Sequence, residues 1–270
     1  MPELPEVETT RLGILPHVTT KRFKHIEIRQ HQLRWPVPAE LPDLLSNATL
    51  HEITRRGKYL LFNTEAGTML LHLGMSGNLR ITQADCTVGK HDHIDFVFDD
   101  GTVLRFNDQR RFGAVLWTTA PDTHPLLAEL GPEPLSADFN VTYLYKRLNN
   151  RQVPLKSAIM DAKLVVGVGN IYANEALFHA GLNPNRAAGT LSEQECLVLI
   201  DSIQSVLRQA IQQGGTTLRD FLNAQGKPGY FQQSLSVYGR QGLACPVCSE
   251  PVRHVKIGQR ASYYCPRCQS

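Results

Sequence analysis

Apolar and polar positions alternate along much of the first half of the chain. The alternation is clear at residues 25–29 and 94–98 and looser at 103–106, while residues 59–62 and 69–73 are more continuously apolar. Short sequences rich in Gly and Asp separate these segments. Many short strands at this spacing predict an antiparallel β-sandwich or a flattened barrel.

A helical pattern precedes the strands. Residues 6–15 place acidic side chains first and apolar side chains at near-helical spacing. The acidic start suits the positive end of a helix dipole. We therefore predict a short helix that ends before Pro16.

The second half of the chain reads as helical. The Pro-rich segment 130–135 interrupts the strand pattern, and we place a domain boundary after residue 133. Helical patterns follow at residues 138–149 and 154–161. The chain is thus predicted to be α+β, with strands first and helices second.

Two signals mark the starts of further helices. A glycine-rich turn at residues 167–170 opens a helix that continues to about His179. Ser192 and Glu195 form a capping-box pattern that starts the longest helix, which ends near Gln213. The predicted apolar face of this helix includes Val198, Ile203, Val206 and Ala210.

Composition narrows the class of protein. The chain has 270 residues, enough for two domains that each have a core. Hydrophobic residues make up 42% and charged residues 20%, which is typical of globular proteins. No apolar run reaches the length of a membrane span, and the N-terminus lacks the pattern of a secretory signal. We expect a cytoplasmic protein with reduced thiols and no membrane partner.

The net charge of +3 conceals an asymmetry between the two halves. Residues 1–133 contain 14 Lys and Arg against 17 Asp and Glu, whereas residues 134–270 contain 14 against 8. A basic half of this size fits a polyanionic partner, although ordinary solvated surfaces also carry such an excess.

Cysteine spacing predicts a metal site at the end of the chain. Two Cys-x-x-Cys pairs separated by sixteen residues indicate one structural Zn²⁺ in a closed four-thiolate site. Two disulfides are the alternative, which a reducing cytosol disfavours. Cys86 and Cys196 lack this spacing and are expected to be buried thiols. The predicted ligands are Cys245, Cys248, Cys265 and Cys268, and the hairpin expected between them carries the cations Arg253, His254, Lys256 and Arg260.

The N-terminus offers a candidate nucleophile. Removal of Met1 would leave Pro2 with a free secondary amine, whose pKa is near the α-amino value of roughly 8. Such an amine attacks a sugar carbon to give an iminium directly, and the adjacent Glu3 could shuttle protons for it. The alternative is that Pro2 is an ordinary second residue and Pro5 only starts a helix.

Three other segments carry groups suited to nucleic acid. Residues 108–113 place two arginines and Phe112 between two strands, where Arg could read a base edge and Phe could wedge into a base step. The alternative is an edge loop whose Phe packs inward. Met75, on a turn bounded by glycines, could fill the space left by an extruded base. Asn170, on the glycine-rich turn, could donate its amide hydrogen to a DNA phosphate. The alternative is a plain turn with no role in binding.

Taken together, these motifs resemble those of bacterial formamidopyrimidine-DNA glycosylase from the first residue almost to the last. The matching segments are Met1–Thr9, His72–Gly77, Arg110–Gly113, Val166–Ala173 and the cysteine-terminated tail. The resemblance implies an N-terminal β-sandwich with flanking helices at 1–133, a linker and first helix at 134–150, a helix–two-turn–helix domain at 151–225 and a zinc-finger hairpin at 236–270.

The resemblance also implies an activity. The expected substrate is double-stranded DNA that contains 8-oxoguanine or formamidopyrimidines. A monomeric, nucleoid-associated bacterial enzyme would excise the base and then cut the strand by β,δ-elimination in base excision repair. The chemistry would need no catalytic metal, since the zinc is structural.

Roles carry over by position from the same resemblance. Pro2 would be the Schiff-base nucleophile, Glu3 the proton donor and acceptor, Lys58 a group for β-elimination and Arg260 a group for δ-elimination. Arg219 would lie on the loop that covers the extruded base. The expected DNA contacts are His72, Met75, His91, Arg110, Phe112, Arg151, Asn170, Arg219 and Tyr238.

Two positions depart from the family pattern, and two other functions compete. Gln109 stands where Pro is frequent, which bears on the rigidity of its loop. Arg219 stands where Lys also occurs, which bears on closure of the loop over the base.

An endonuclease VIII-type enzyme for oxidised pyrimidines is the first alternative function. Leu4 opposes it, because that branch resembles Met-Pro-Glu-Gly-Pro-Glu. A catalytically inactive DNA-binding zinc protein is the second, which the intact Pro2, Lys58 and Arg260 oppose.

Overall fold

The computed structural model describes residues 2–215 and 234–270, which form two compact units. The first unit contains the described residues up to Ala128 and residues 213–215. The second contains residues from Glu129 to Gln212 and from 234 onward. No helix in the described ranges is long and apolar enough to cross a membrane.

Helix α1 (Leu4–Val18) opens the first unit and begins with a capping box between Glu3 and Glu6. The prediction that it ends before Pro16 is wrong. Pro16 lies in the last turn, where its missing N–H costs the helix one hydrogen bond. Val18 is fully buried in the core, and burying such a side chain stabilises the fold by about 1.5–3 kcal/mol, which favours continuing the helix.

Two antiparallel four-stranded sheets follow. The first has the order β1-β6-β7-β5 and the second the order β2-β3-β4-β8. A short helix, α2 (Leu41–Leu45), lies between β1 and β2 in the chain. The strands are β1 (Phe23–Ile28), β2 (Leu50–Arg56), β3 (Tyr59–Thr64), β4 (Gly67–His72), β5 (Asn78–Gln83), β6 (Asp92–Phe98), β7 (Thr102–Asn107) and β8 (Ala114–Thr118).

The two sheets share one hydrophobic core. Phe62 and Leu71 of the second sheet belong to the same buried cluster as Phe96 and Phe106 of the first. This arrangement confirms the sandwich and removes the flattened barrel as an alternative.

Strand β6 is buried on both faces, although its sequence alternates. Its outward carboxylates are covered by arginines: Asp95 accepts from Arg105 Nε at 2.7 Å and from Arg29 Nη2 at 2.7 Å. Asp92 accepts from Arg80 Nη2 at 2.6 Å. Burial raises the pKa of Asp95, but the hydrogen bonds from Arg105 and Arg29 outweigh it and lower the pKa overall.

The second unit is helical, with a C-terminal hairpin. Its helices are α3 (Val141–Leu148), α4 (Leu155–Ile159), α5 (Asn170–His179) and α6 (Glu193–Gln212), and its strands are β9 (Arg253–Ile257) and β10 (Arg260–Tyr264). Single 3-10 turns occur at Pro121–Thr123 in the first unit and Ala188–Thr190 in the second.

Helix α6 confirms one prediction and corrects another. Ser192 Oγ accepts from the Glu195 backbone N–H at 3.2 Å, and Glu195 Oε2 accepts from the Ser192 backbone N–H at 2.8 Å, which completes the capping box. Val198 was predicted to lie on the apolar face but is 38% exposed. Leu199 is buried instead, because it shares a face with Ile203 at four-residue spacing, and Val198 is rotated away by about 100°.

A buried carboxylate connects α5 to the segment that precedes the hairpin. Glu175 is 1% exposed and accepts backbone N–H groups from Ser236 at 2.7 Å, Val237 at 3.0 Å and Tyr238 at 2.8 Å. The segment therefore gains three charge-assisted hydrogen bonds at one point.

Replacing Glu175 with Ala should lower the free energy of unfolding by about 2–4 kcal/mol, because three backbone donors lose their acceptor. Urea titration monitored by circular dichroism measures the change. Asp201→Asn is the matched control, since Asp201 is exposed on α6, and it should stay within about 0.5 kcal/mol of the parent. Equal stabilities of the two variants would contradict the anchoring role.

Candidate functional site

The start of α1 fixes the two N-terminal candidates. Pro2 and Glu3 are buried, and the Glu3 backbone N–H donates to Glu6 Oε2 at 2.8 Å. Glu6 is itself fully buried. The capping box thus holds the chain rigidly at the position where Pro2 would present its amine.

Helix α1 is also hydrogen-bonded to Arg55, near the end of β2 and next to the turn that carries Lys58. Glu8 Oε2 accepts from Arg55 Nε at 2.8 Å, and Arg55 Nη1 donates to the Gly57 carbonyl at 2.9 Å. Gly57 has a φ of +56°, a conformation that glycine adopts without strain. Lys58 follows on this turn between β2 and β3 and is half-buried.

His72 ends β4 as a neutral imidazole. Its Nδ1 accepts the Gly74 backbone N–H at 2.9 Å and therefore carries no proton. Burial, and then the positive charges of Lys58 and Arg34, lower the pKa of His72 to about 4. At neutral pH the ring has one proton, on Nε2, which makes that atom a hydrogen-bond donor.

Strand register places the loop that carries Met75 beside the loop that carries Arg110 and Phe112. Residues 73–77 lead from β4 to β5, and residues 108–113 lead from β7 to β8. His72 pairs with Ala114 at one end of these loops, and Asn78 pairs with Asn107 at the other. Both loops therefore cross between the sheets at the same edge of the sandwich.

Asp108 joins the two loops. Its fully buried carboxylate accepts from Ser76 Oγ at 2.7 Å and from the Gly113 backbone N–H at 2.7 Å. Ser76 Oγ accepts in turn from the Arg110 backbone N–H at 3.0 Å. A Cβ added at Gly74 would lie 2.3 Å from the Phe112 carbonyl carbon, so the backbones of the two loops are in direct contact.

Arg110 and Phe112 are exposed on the second of these loops. Phe112 is 45% exposed, which rules out the inward-packing alternative, and the Arg110 guanidinium carbon lies 5.0 Å from the centre of its ring. A cavity of about 490 Å³ lies beside them, lined by Leu33, Arg34, His72, Gly74, Met75, Arg111 and Phe112.

His91 is close to the second loop through its backbone. Its carbonyl accepts from the Asp108 backbone N–H at 3.0 Å, and its ring centre is 6.4 Å from that of His93. The first unit therefore brings His91 to the loop that carries Arg110 and Phe112, and His72 to the loop that carries Met75.

In the second unit, Asn170 and strand β10 of the hairpin meet at Lys156. This ammonium group is 1% exposed and donates to Asn170 Oδ1 at 2.6 Å, the Ala261 carbonyl at 2.8 Å and Ser262 Oγ at 2.7 Å. The first of these bonds orients the Asn170 amide so that its donor, Nδ2, faces away from Lys156. Arg260, which precedes Ala261, is exposed.

Sequence reasoning missed Lys156 and Glu175. Lys156 lies between Leu155 and Ala158 in an apolar helical stretch, and this signal could have indicated a buried, paired lysine. Glu175 had no comparable signal, because its partners at residues 236–238 are far away in the chain.

The remaining predicted DNA contacts are Arg151, Tyr238 and Arg219. Arg151 lies on the segment between α3 and α4, and its Nη1 is 3.6 Å from Asp161 Oδ2. The Tyr238 ring centre is 5.2 Å from that of Tyr263 on β10. Arg219 lies outside the described residues.

The four predicted metal ligands converge. All four sulfur atoms lie within 4.8 Å of one another, and the Cys248–Cys265 and Cys245–Cys268 pairs are 3.4 and 3.9 Å apart. A tetrahedron with Zn–S bonds of about 2.3 Å has S···S edges of about 3.8 Å, so the set fits Zn²⁺. A hydrogen bond with Cys248, followed by burial, raises the pKa of Cys268 to about 12. Its thiolate form therefore needs a bound cation, as Zn²⁺ would supply.

The expectation for one other thiol is wrong. Cys86 is exposed, because it lies on the turn after β5, where the Arg105 guanidinium binds its carbonyl at 3.3 Å rather than its side chain. Cys196 is buried on α6 as expected. The predicted hairpin between the cysteine pairs is present, and its basic residues Arg253, His254, Lys256 and Arg260 are exposed.

Three known families match successive parts of the chain. The formamidopyrimidine-DNA glycosylase N-terminal domain matches residues 1–115, the formamidopyrimidine-DNA glycosylase H2TH domain matches 130–222, and a zinc finger found in FPG and IleRS matches 242–270. The zinc-finger match and the four clustered cysteines together assign one structural zinc to this chain.

Relatives and solved structures agree over the whole length. Proteins named formamidopyrimidine-DNA glycosylase from Thioalkalivibrio sulfidiphilus and Methylococcus capsulatus are 56% and 54% identical, covering 100% of each chain. The MutM (Fpg) protein of Thermus thermophilus superposes with a TM-score of 0.87 at 39% identity, covering 99% of this chain and 98% of that one. The Lactococcus lactis Fpg in complex with abasic-site DNA superposes with a TM-score of 0.92 at 32% identity, covering 100% of both chains. The chain belongs to the formamidopyrimidine-DNA glycosylase family.

Proposed function

We propose that this member of the family is a bifunctional DNA glycosylase and abasic-site lyase that removes oxidised purines from double-stranded DNA. The observation that carries the proposal is the placement of Pro2 at the rigid start of α1, next to the buried carboxylate of Glu3. A secondary amine beside a proton carrier is what Schiff-base chemistry at a sugar carbon requires.

The reaction proceeds through excision of the base, ring opening to an iminium, two eliminations and release of the enzyme. The Pro2 nitrogen attacks C1′, the glycosidic bond breaks, and the base leaves with a proton that Glu3 can supply. Opening of the sugar ring gives an iminium, which acidifies the C2′ hydrogens. β-Elimination then expels the 3′ phosphate and δ-elimination the 5′ phosphate, and hydrolysis of the iminium by water releases the sugar remnant as an aldehyde and regenerates the Pro2 amine.

Cations serve the elimination steps and bind phosphate. Lys58, on the turn next to the His72 end of β4, assists β-elimination, and Arg260 on the hairpin assists δ-elimination. The neutral His72 adds a donor, Nε2–H, without adding charge. Zinc takes no part in these steps, since its four thiolate ligands leave no open position and its role is to hold the hairpin folded.

The adjacent loops read the duplex. Met75 and Phe112 fill the space of the extruded base and wedge into the stack, and Arg110 bonds to the orphaned cytosine. The exposure of Phe112 and the stacking of Arg110 on its ring support these roles. Asn170 and Arg151, within the helix–two-turn–helix domain proposed at residues 151–225, bind phosphates. His91 in the first unit and Tyr238 before the hairpin are the remaining DNA contacts.

The nucleophile is tested by covalent trapping. After confirmed removal of Met1, Pro2→Gly should lose most of the borohydride-trapped adduct on an 8-oxoguanine duplex, because a primary amine replaces the secondary one. Pro5→Ala is the matched control and should retain trapping, because it leaves the N-terminal proline in place. Full trapping by a preparation whose mass shows retained Met1 would refute the assignment, and an absence of adduct in the parent protein would favour an inactive DNA-binding protein.

The division between wedging and phosphate binding is tested by a salt series. Lys58→Ala should reduce the magnitude of the slope of log affinity against log salt by about one, since each neutralised phosphate contributes about −0.9. Phe112→Ala should leave the slope unchanged and slow excision from duplex DNA, with little effect on a preformed abasic site. Leu12→Ala controls for loss of an exposed apolar side chain, as Leu12 is 48% exposed on α1. A flattened slope in Phe112→Ala with undiminished excision would reverse the assigned roles.

The zinc is tested by ligand replacement. Cys248→Ser should release the metal and weaken DNA binding while the first unit stays folded, because metal binding and hairpin folding are coupled. Metal content by mass spectrometry and DNA affinity by fluorescence anisotropy measure both effects. Cys86→Ser makes the same change outside the cluster and should keep one zinc per chain. Stoichiometric zinc in Cys248→Ser would exclude a four-thiolate site.

A further inference from the structure

Asp108 has no exposed surface, yet it lies at the base of a loop whose other side chains point outward. Its carboxylate accepts hydrogen bonds from both loops. Oδ1 accepts from Ser76 Oγ at 2.7 Å and from the Arg110 backbone N–H at 3.3 Å, while Oδ2 accepts from the Gly113 backbone N–H at 2.7 Å.

The backbone of Asp108 is held as firmly as its side chain. Its carbonyl is 2.7 Å from His93 Nε2, which must donate because a carbonyl oxygen only accepts. Its N–H donates to the His91 carbonyl at 3.0 Å. These backbone hydrogen bonds fix Asp108 relative to the sheet independently of its side-chain bonds to the loops.

We propose that Asp108 and Ser76 form a clamp that makes the Met75 turn and the Arg110–Phe112 loop a single rigid unit. Asp108 is a positioning residue for opposite-base reading and wedge insertion, and it touches no DNA itself. This inference rests on the proposed function, because the clamp matters only if these loops read a duplex.

The chemistry of the clamp explains why both residues are needed. Ser76 Oγ donates its only proton to Asp108 and accepts from the Arg110 N–H, so it relays the position of the carboxylate to the Arg110 backbone. Loss of the hydroxyl leaves the Arg110 N–H with only the 3.3 Å contact to Asp108. In Asp108→Asn, an amide nitrogen replaces one acceptor oxygen and can no longer satisfy both loops.

Close backbone packing makes the coupling rigid. Gly74 has a φ of +64°, and a Cβ there would lie 2.4 Å from the Gly113 nitrogen. A shift of either loop is therefore transmitted to the other, and Met75 and Arg110 should respond together to damage at the clamp.

The activity test uses Asp108→Asn, Ser76→Ala, the double variant and Arg110→Ala. Single-turnover excision of 8-oxoguanine is measured opposite cytosine and opposite adenine, well below the melting temperature of every variant. Asp108→Asn and Ser76→Ala should each reduce the cytosine-to-adenine rate ratio by about threefold to tenfold, which corresponds to the net contribution of one typical hydrogen bond. The double variant should lose about as much as one single variant, because both changes break the same clamp.

Asp95→Asn is the matched control for stability. Asp95 is also a buried carboxylate of the first unit, 3% exposed, but its partners Arg29 and Arg105 do not lie on either loop. This variant should melt at a lower temperature and keep the parent rate ratio. If Asp108→Asn and Ser76→Ala keep the ratio as Asp95→Asn does while Arg110→Ala loses it, the inference is overturned, and multiplicative losses in the double variant would also overturn it.

Amide hydrogen exchange without DNA separates this inference from the proposed function. Ser76→Ala should speed exchange at the Arg110 N–H, and Asp108→Asn should speed exchange at the Gly113 N–H, by roughly the same threefold to tenfold factor. Unchanged exchange at both positions would overturn the clamp whatever the activity. Faster exchange in a protein that excises no lesion would support the clamp and refute the proposed function.

Discussion

A charged side chain that leaves water must regain its hydrogen bonds inside the protein, and this requirement organises both units. Asp108 satisfies it with donors from two loops, Lys156 with acceptors from α5 and the hairpin, and Glu175 with three consecutive backbone N–H groups. In each case a buried charge holds segments that are distant in the chain. Removing one such partner would leave the other groups buried without hydrogen bonds, so these contacts are costly to break.

The sandwich supplies the rigid frame on which the loops are placed. The first sheet is closed on its outer side by Arg29, Arg105 and the carboxylates of β6, so that strand has no solvated face. The loops that follow β4 and β7 then cross between sheets at one edge, where strand pairing fixes both of their ends. The flexible, apolar Met75 and the exposed Phe112 thus lie on loops whose ends are both held by strand pairing.

The features that the sequence alone determined are local or chemical. Cysteine pairs separated by two residues need only one turn of chain each to aim two thiolates at one point, and the capping box of α6 spans four residues. The glycine-rich turn at 167–170 likewise predicted a helix that continues to about His179, and α5 runs from Asn170 to His179. The order of the motifs, from Pro2 to the last cysteine, was sufficient to indicate the family and the chemistry to look for.

The contacts that hold these groups in place were decided only by the tertiary structure. Asp108 and Ser76 are 32 residues apart, and Lys156 and Ser262 are 106 apart. Their meeting depends on strand register and on how helices pack, and neither leaves a periodic signal near the residues themselves. The same reason explains the error at Pro16, where burial of Val18 in the core outweighed the local preference of proline to end a helix. The sequence therefore named the reactive groups, and packing set their positions, because a hydrogen bond between distant residues is specified by the whole fold.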